Sequence, residues 1–211
     1  MAGNTGALLG PLLEGAQASG AEVQTFLLGQ MDVQPCRACD CCHRTGQCRV
    51  DDDFETIRAA MAAADGVVLA SPNYIFSVSA QMKAFMDRCT GPLHLQAFEG
   101  KYGAAVVTSG GPETAEVEQY LLRFLGVLGL WTVGSLGAEG RQLADAAARQ
   151  EFIESAARLG GRLAEAIQRQ ETFSDQEPAR TAFGERMRTL VTMRQGDWAF
   201  EYQYWKSMGR L

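Results

Sequence analysis

Three short runs of nearly uninterrupted apolar or small residues, 66–70, 102–108 and 130–136, alternate along this chain with stretches of helical spacing. A strand that is apolar at almost every position is buried on both faces. Strands of that kind separated by helices imply a parallel sheet covered by helices on both sides. Residues 21–28, with Val23, Phe26 and Leu27 apolar, read as a further strand. The expected order is helix first, then four strands, each followed by a helix.

The helices are legible from their apolar positions. Leu8, Leu9, Leu12, Leu13 and Ala16 line one face after an Asn4/Thr5 cap, and Pro11 inside that pattern is expected to bend or shorten the helix. Asp51 to Asp53 cap a helix carrying Phe54, Ile57 and Met61. Val78, Met82, Phe85, Met86 and Cys89 recur at helical spacing, as do Val117, Tyr120, Leu121, Phe124 and Leu128 after Pro112. Phe152, Ala156, Leu159, Leu163 and Ile167 mark a long helix. A polar linker over 171–178 leads to a helical tail with Phe183, Met187, Leu190 and Val191. Trp198, Tyr202 and Trp205 share one face beyond them, so the tail packs on its own domain or on a neighbouring subunit. The division is therefore 1–170, a sheet domain, and 171–211, linker and tail.

Five of the six cysteines fall within residues 36–48. Cys36, Cys39, Cys42 and Cys48 follow C-x2-C-x2-C-x5-C, with Cys41 left over. Four thiolates this close together can wrap one [4Fe–4S] cube. Structural zinc sites more often use two separated pairs, and thiols stay reduced in the cytoplasm. A metal-free loop with a redox-active thiol stays open beside the cluster. Of the remaining candidates, Cys89 reads as a buried, inert thiol. His43 reads as a surface residue and His94 as a loop residue without a partner. Asp87 and Arg88 pair with each other or with a neighbouring subunit. Gly134, Gly137 and Gly140 read as turn residues, since the dinucleotide fingerprint has another spacing.

A net charge of −6 gives no support to nucleic-acid binding. No apolar run approaches the ~20 residues that cross a bilayer, and the first residues do not resemble a signal peptide. The expectation is a cytoplasmic protein with neither membrane nor nucleic-acid partner.

Ligands of open parallel sheets bind where strands end, and three loops stand there: residues 36–48, 71–77 and 108–112. Backbone amides of Gly3, Asn4 and Thr5 suit a phosphate at a helix start. The series Gly3-Asn4-Thr5, Ser71-Pro72-Asn73-Tyr74, Ser77 with the helix after it, and Thr108-Ser109-Gly110-Gly111 resembles the NADPH-dependent FMN reductase family. With the cysteine loop, the chain is similar to its iron–sulfur flavoprotein branch. The resemblance implies a flavodoxin-like three-layer sandwich and an FMN held by these twelve residues. Ser71, Pro72, Asn73, Tyr74 and Ser77 meet the ring's pyrimidine edge, and Tyr74 stands against the ring. It also implies NAD(P)H as electron donor and a homodimer or homotetramer.

Two departures from the family pattern bear on structure. Met1 stands almost directly on Gly3-Asn4-Thr5, where the family has a first strand, so that strand is expected to be missing or to lie upstream. Phe76 stands where the family often has glycine. No side-chain acid or base is required, because chemistry of this kind is flavin-centred. The acceptor would be an electron carrier or a small molecule such as a quinone or flavin. The alternative reading is a non-enzymatic redox sensor or metal-binding module built on the cysteine loop. A structural protein with an empty pocket is the third.

Overall fold

The computed structural model describes residues 3–211, so the expected strand before Gly3 lies outside the described residues. In chain order the elements are α1 (Asn4–Ala18), α2 (Cys41–Thr45), α3 (Phe54–Ala63), β1 (Gly66–Pro72), α4 (Ala80–Arg88), α5 (Thr90–Leu95), β2 (Tyr102–Ser109), α6 (Ala115–Val127), β3 (Trp131–Glu139), α7 (Gly140–Ala144), α8 (Ala146–Arg169), α9 (Glu177–Met193) and α10 (Ala199–Ser207).

The three strands form one parallel sheet in the order β1-β2-β3. Every residue of β2 is buried, as its unbroken apolar run requires. On one face Leu8, Leu12, Val106, Ala138 and Ala156 pack α1 and α8 onto the sheet. On the other, Phe54, Met82, Phe85, Leu121 and Leu125 pack α3, α4 and α6 against Leu69 and Val107. The tail folds back on this unit: Phe183, Met187, Val191 and Trp205 are buried together against Leu93, Leu95 and Val127.

Helices α1 and α8 cross so closely that two glycines are needed. A Cβ at Gly160 would stand 1.8 Å from the Leu12 carbonyl oxygen, and one at Gly15 would stand 2.0 Å from that of Ala157. Both obstacles are backbone and cannot swing away. We expect Gly160→Ala to destabilise the protein by about 3 kcal/mol, read as a lower urea midpoint at unchanged slope. This contact also explains Pro11. It costs α1 one hydrogen bond, yet the helix runs on unshortened to Ala18 because α8 holds it.

Two sequence expectations are corrected. Residues 21–27 have no regular secondary structure and join no sheet, and Leu28–Gln30 close as a 3₁₀ turn. A strand needs a neighbour to bond, and here a cleft of about 1590 Å³ lies between this segment and the edge of β1 that is unpaired among the described residues. Val23, Phe26, Met61, Val67, Leu69 and Leu163 line it. Four expected strands are thus three among the described residues, with the cleft beside β1. Second, Gly134 and Gly137 lie inside β3 rather than in turns. Gly134, at φ +143, sits where the β2–β3 register shifts, so it serves a bulge.

Candidate functional site

The upper end of the same cleft opens at the C-terminal ends of the strands. Gly3, Asn4 and Thr5 line it with Pro72, Asn73, Tyr74, Thr108, Ser109 and Gly110. Thr5 and Thr108 join across it through their hydroxyls at 2.6 Å. Of the twelve residues expected to hold FMN, Ser71, Ser77 and Gly111 stand outside this lining. Ser71 is fully buried and works within the protein. Its hydroxyl accepts the Ser79 amide at 3.0 Å and donates to the Pro72 carbonyl at 2.8 Å, which fixes the loop to the start of α4. The Gly111 amide donates to the Ser109 hydroxyl at 3.2 Å.

Three features fit an FMN here. Helix α1 begins at Gly3 without a side-chain cap and without an acid in its first turn. Its first amides therefore look outside the helix for an acceptor, and the helix end favours an anion. A Cβ at Gly110 would meet nothing within 4 Å, so there is room above the loop. Asn73 carries the most pointed signal. Its amide nitrogen donates to the Glu113 carbonyl and, at 3.5 Å, to the Ser109 hydroxyl, which fixes its orientation. Its Oδ1 is then buried with no partner among the described residues. An orphaned acceptor of that kind is costly unless something binds it.

Beyond Asn73 the chain makes a tight turn. Tyr74 and Ser77 exchange backbone hydrogen bonds, 2.8 and 3.2 Å, and Ile75 and Phe76 occupy the two corners at φ +50 and +59. Glycine or asparagine is usual in such corners, and a β-branched residue there is strained. Tyr74, Ile75 and Phe76 are 63%, 90% and 70% exposed, an apolar tip beside the cleft mouth.

The cysteine loop runs from residue 36 through α2 to residue 48. Its backbone turns back on itself at Ala38, Asp40 and Gly46, all at positive φ. The thiols differ in what they face. The Ala38 amide donates to the Cys36 sulfur at 3.4 Å. Cys41, the thiol left over by spacing, faces only the Thr45 hydroxyl at 3.7 Å. An amide donor aimed at sulfur suits a thiolate ligand. The thiols of the spacing, Cys36, Cys39, Cys42 and Cys48, are all free, a donor set of the kind that can hold an iron–sulfur centre. Cys89 is buried, and burial pushes its thiol up, as expected of an inert cysteine.

Behind the loop lies a group that sequence reasoning missed. His43 is buried rather than on the surface, and His94 has a partner. Both donate through Nδ1 to the fully buried carboxylate of Glu201, at 2.5 and 3.1 Å. Trp198 stacks on both imidazoles at 4.4 and 5.0 Å, and Trp205 donates to the His94 carbonyl at 3.1 Å. Burial disfavours a charge on His43, but hydrogen bonds to Cys42 and Glu201 outweigh it and hold its pKa at about 10. Burial likewise works against Glu201, and its bonds to the two histidines hold it below the usual carboxylate range. Ligand atoms of these three residues lie within 4.8 Å of one another. Both carboxylate oxygens are already satisfied, so the trio is complete as a hydrogen-bonded anchor. Its signal in the sequence was an acid at 201 between Trp198 and Trp205, on an otherwise aromatic helix face.

Asp87 and Arg88 do not pair with each other. Lys83 bonds Asp87, whereas Arg88 reaches back to Asp52 with two hydrogen bonds, 2.7 and 3.1 Å. Burial works against both charges of this pair. Its mutual bonds outweigh that, holding Asp52 below and Arg88 above their ordinary values.

An open parallel sheet with an uncapped helix start, hydroxyl-rich loops and an orphaned acceptor at one edge defines a flavodoxin-like α/β protein of the cofactor-binding kind. Residues 1–142 match the NADPH-dependent FMN reductase family. An iron–sulfur flavoprotein of Archaeoglobus fulgidus is 30% identical over 212 residues, covering 98% of this chain and 93% of its own. One from Methanosarcina thermophila is 36% identical over 104 residues, 49% of this chain and 54% of its own. Among solved structures, the flavodoxin, WrbA-like protein from Agrobacterium tumefaciens superposes with a TM-score of 0.54 at 19% identity, covering 80% of this chain and 92% of that one. The chain belongs to the NADPH-dependent FMN reductase family and is an FMN-dependent oxidoreductase. None of its helices, among the described residues, is long and apolar enough to cross a membrane.

Proposed function

We propose that this protein takes electrons from NAD(P)H at an FMN in the cleft and passes them on through a [4Fe–4S] cluster on residues 36–48. The final acceptor is an electron carrier or a small molecule such as a quinone or flavin. The observation that carries the flavin half is the buried, unpartnered Asn73 Oδ1 beside the uncapped start of α1. When bound, FMN supplies two-electron and one-electron chemistry that no side chain here possesses.

The protein's own residues bind and orient. Amides of Gly3, Asn4 and Thr5 with the Thr5 and Thr108 hydroxyls receive the phosphate. No lysine or arginine lines the cleft, so dipoles rather than cations do this. Asn73 offers its carbonyl oxygen to a ring N–H, and Ser71 and Ser77 hold the loop's shape from behind. Tyr74 stands against the ring. Ser109, Gly110, Gly111 and Pro72 complete the rim. Cys36, Cys39, Cys42 and Cys48 hold the cluster. A reducing, cytoplasmic compartment suits such free thiols. A homodimer or homotetramer covers the exposed tip at Ile75 and Phe76. Residues 1–170 form the flavin domain and 171–211 its tail.

The test is the absorption spectrum of anaerobically purified protein before and after dithionite, followed by rapid mixing with NADPH and NADH. Flavin bands on a brown shoulder, both bleaching, are expected. Bands that bleach with dithionite but with neither nicotinamide would refute the donor. A spectrum with bound zinc and no flavin would favour the metal-module reading instead.

A further inference from the structure

We propose that Phe76, at the tip of the turn beside the cleft mouth, is a specificity residue for the electron acceptor. Its ring favours flat, uncharged ring compounds such as quinones over hydrophilic acceptors. This deepens the reading of the cleft as the flavin site and rests on it.

Backbone strain is the first observation. Ile75 and Phe76 hold φ +50 and +59, the left-handed region that disfavours residues with a Cβ. Packing does not offset this, since Ile75 is 90% and Phe76 70% exposed. Backbone bonds between Tyr74 and Ser77 hold the turn, and these would form around glycine as well. Glycine would occupy both corners without strain and expose no apolar surface. Bulky side chains in such a conformation point to a use for the side chains themselves.

Position and charge indicate what the tip meets. Tyr74, beside the two corners, lines the cleft at the end where the strands finish. The lining there, from Gly3 to Thr5 and from Thr108 to Gly110, carries no charged side chain. Two aromatic residues and an isoleucine exposed together at an uncharged mouth suit a neutral, planar, apolar compound. They offer no fixed charge to an ionic acceptor. In the balanced reaction NAD(P)H and one proton reduce one quinone to the hydroquinone and leave NAD(P)+. Two electrons pass; the nicotinamide loses a hydride, and the second proton comes from solvent. Phe76 takes no part in the transfer and holds the acceptor's ring. A second copy set against the tip places the mouth between two subunits and leaves this contact in place.

The test compares the FMN-loaded full-length protein with Phe76→Gly, Phe76→Asn and Phe76→Tyr, using menadione and ferricyanide as acceptors at saturating NADPH or NADH. The readouts are KM and kcat for each acceptor, the urea midpoint and the sedimentation coefficient. Glycine and asparagine both accept a left-handed corner, so neither variant should have a lower urea midpoint than the parent. In both, KM for menadione should rise about three- to tenfold, the scale of one lost ring-on-ring contact. Phe76→Tyr should stay near the parent, and ferricyanide kinetics should be unchanged in all three. An unchanged KM for menadione, or equal losses with both acceptors, overturns the proposal. Equal losses with a changed sedimentation coefficient would assign the tip to a subunit contact alone. If neither nicotinamide reduces the parent, the dithionite-reduced proteins are mixed with each acceptor, and the same contrast is read in their reoxidation rates. Absence of flavin bands in the parent, seen before any acceptor is added, overturns the flavin reading and this proposal with it.

Discussion

Cys48→Ser and Cys42→Ser should abolish iron and sulfide uptake by the reconstituted protein, while Cys41→Ser leaves it at the parent level. A serine hydroxyl is a poor ligand at neutral pH, so loss of one of four thiolates weakens metal binding more than loss of an outer partner, which itself costs about 10- to 100-fold. The contrast with Cys41 follows from the spacing C-x2-C-x2-C-x5-C, which leaves that thiol over; its sulfur instead stands 3.7 Å from the Thr45 hydroxyl. Iron and sulfide analysis of the three variants checks the expectation. Loss of iron in Cys41→Ser with retention in Cys42→Ser would reverse the assignment of ligands. Retention of flavin in all three would show that the cleft and the loop are built independently.

Glu201→Ala should cost about 3–5 kcal/mol of stability, the scale for breaking a buried pair on one side. The substitution leaves a protonated His43 buried against nothing and takes the acceptor from His94. Glu201→Gln keeps the shape and one acceptor, and should recover part of the loss. The pair also sets a pH dependence. The pKa of His43 is raised from 6.5 to about 10, so its contribution is complete below pH 6.5 and is lost as pH rises toward 10. The pKa of Glu201 is depressed from 4.5, so its contribution is complete above that value and is lost as pH falls below it. Urea midpoints measured at intervals from acid to alkaline pH should therefore be highest between these two limits in the parent and flatter in Glu201→Gln. A flat parent profile above pH 6.5 would mean that His43 is neutral in the folded protein.

Much of the sheet was legible because its signal is local. Runs 66–70 and 102–108 are apolar throughout and became β1 and β2 with nearly the expected limits. Residues 21–28, with Val23, Phe26 and Leu27 apolar among polar neighbours, did not become a strand, because pairing is decided by the neighbour and not by the segment. The loops that line the cleft were readable from their hydroxyls, glycines and position after strands. The anchors of the cysteine loop were not. His43 and Glu201 are 158 residues apart, and Asp52 and Arg88 are 36 apart. No spacing rule joins residues whose meeting is decided by how α10 folds back across α2. Arg88 was misread for the same reason: next to Asp87 in sequence, its side chain turns inward while that of Asp87 stays at the surface.

The anchor at Glu201 also imposes an order on biosynthesis. The thiols of residues 36–48 leave the ribosome early, while the carboxylate that fixes His43 among them is made 158 residues later. At about 5–20 residues per second, that interval is on the order of ten to thirty seconds. Through all of it the loop lacks its back wall of Trp198, Glu201 and Trp205. Maturation of the thiols is thereby coupled to completion of the polypeptide, and a nascent chain stalled before α10 carries five free cysteines on an unsupported loop.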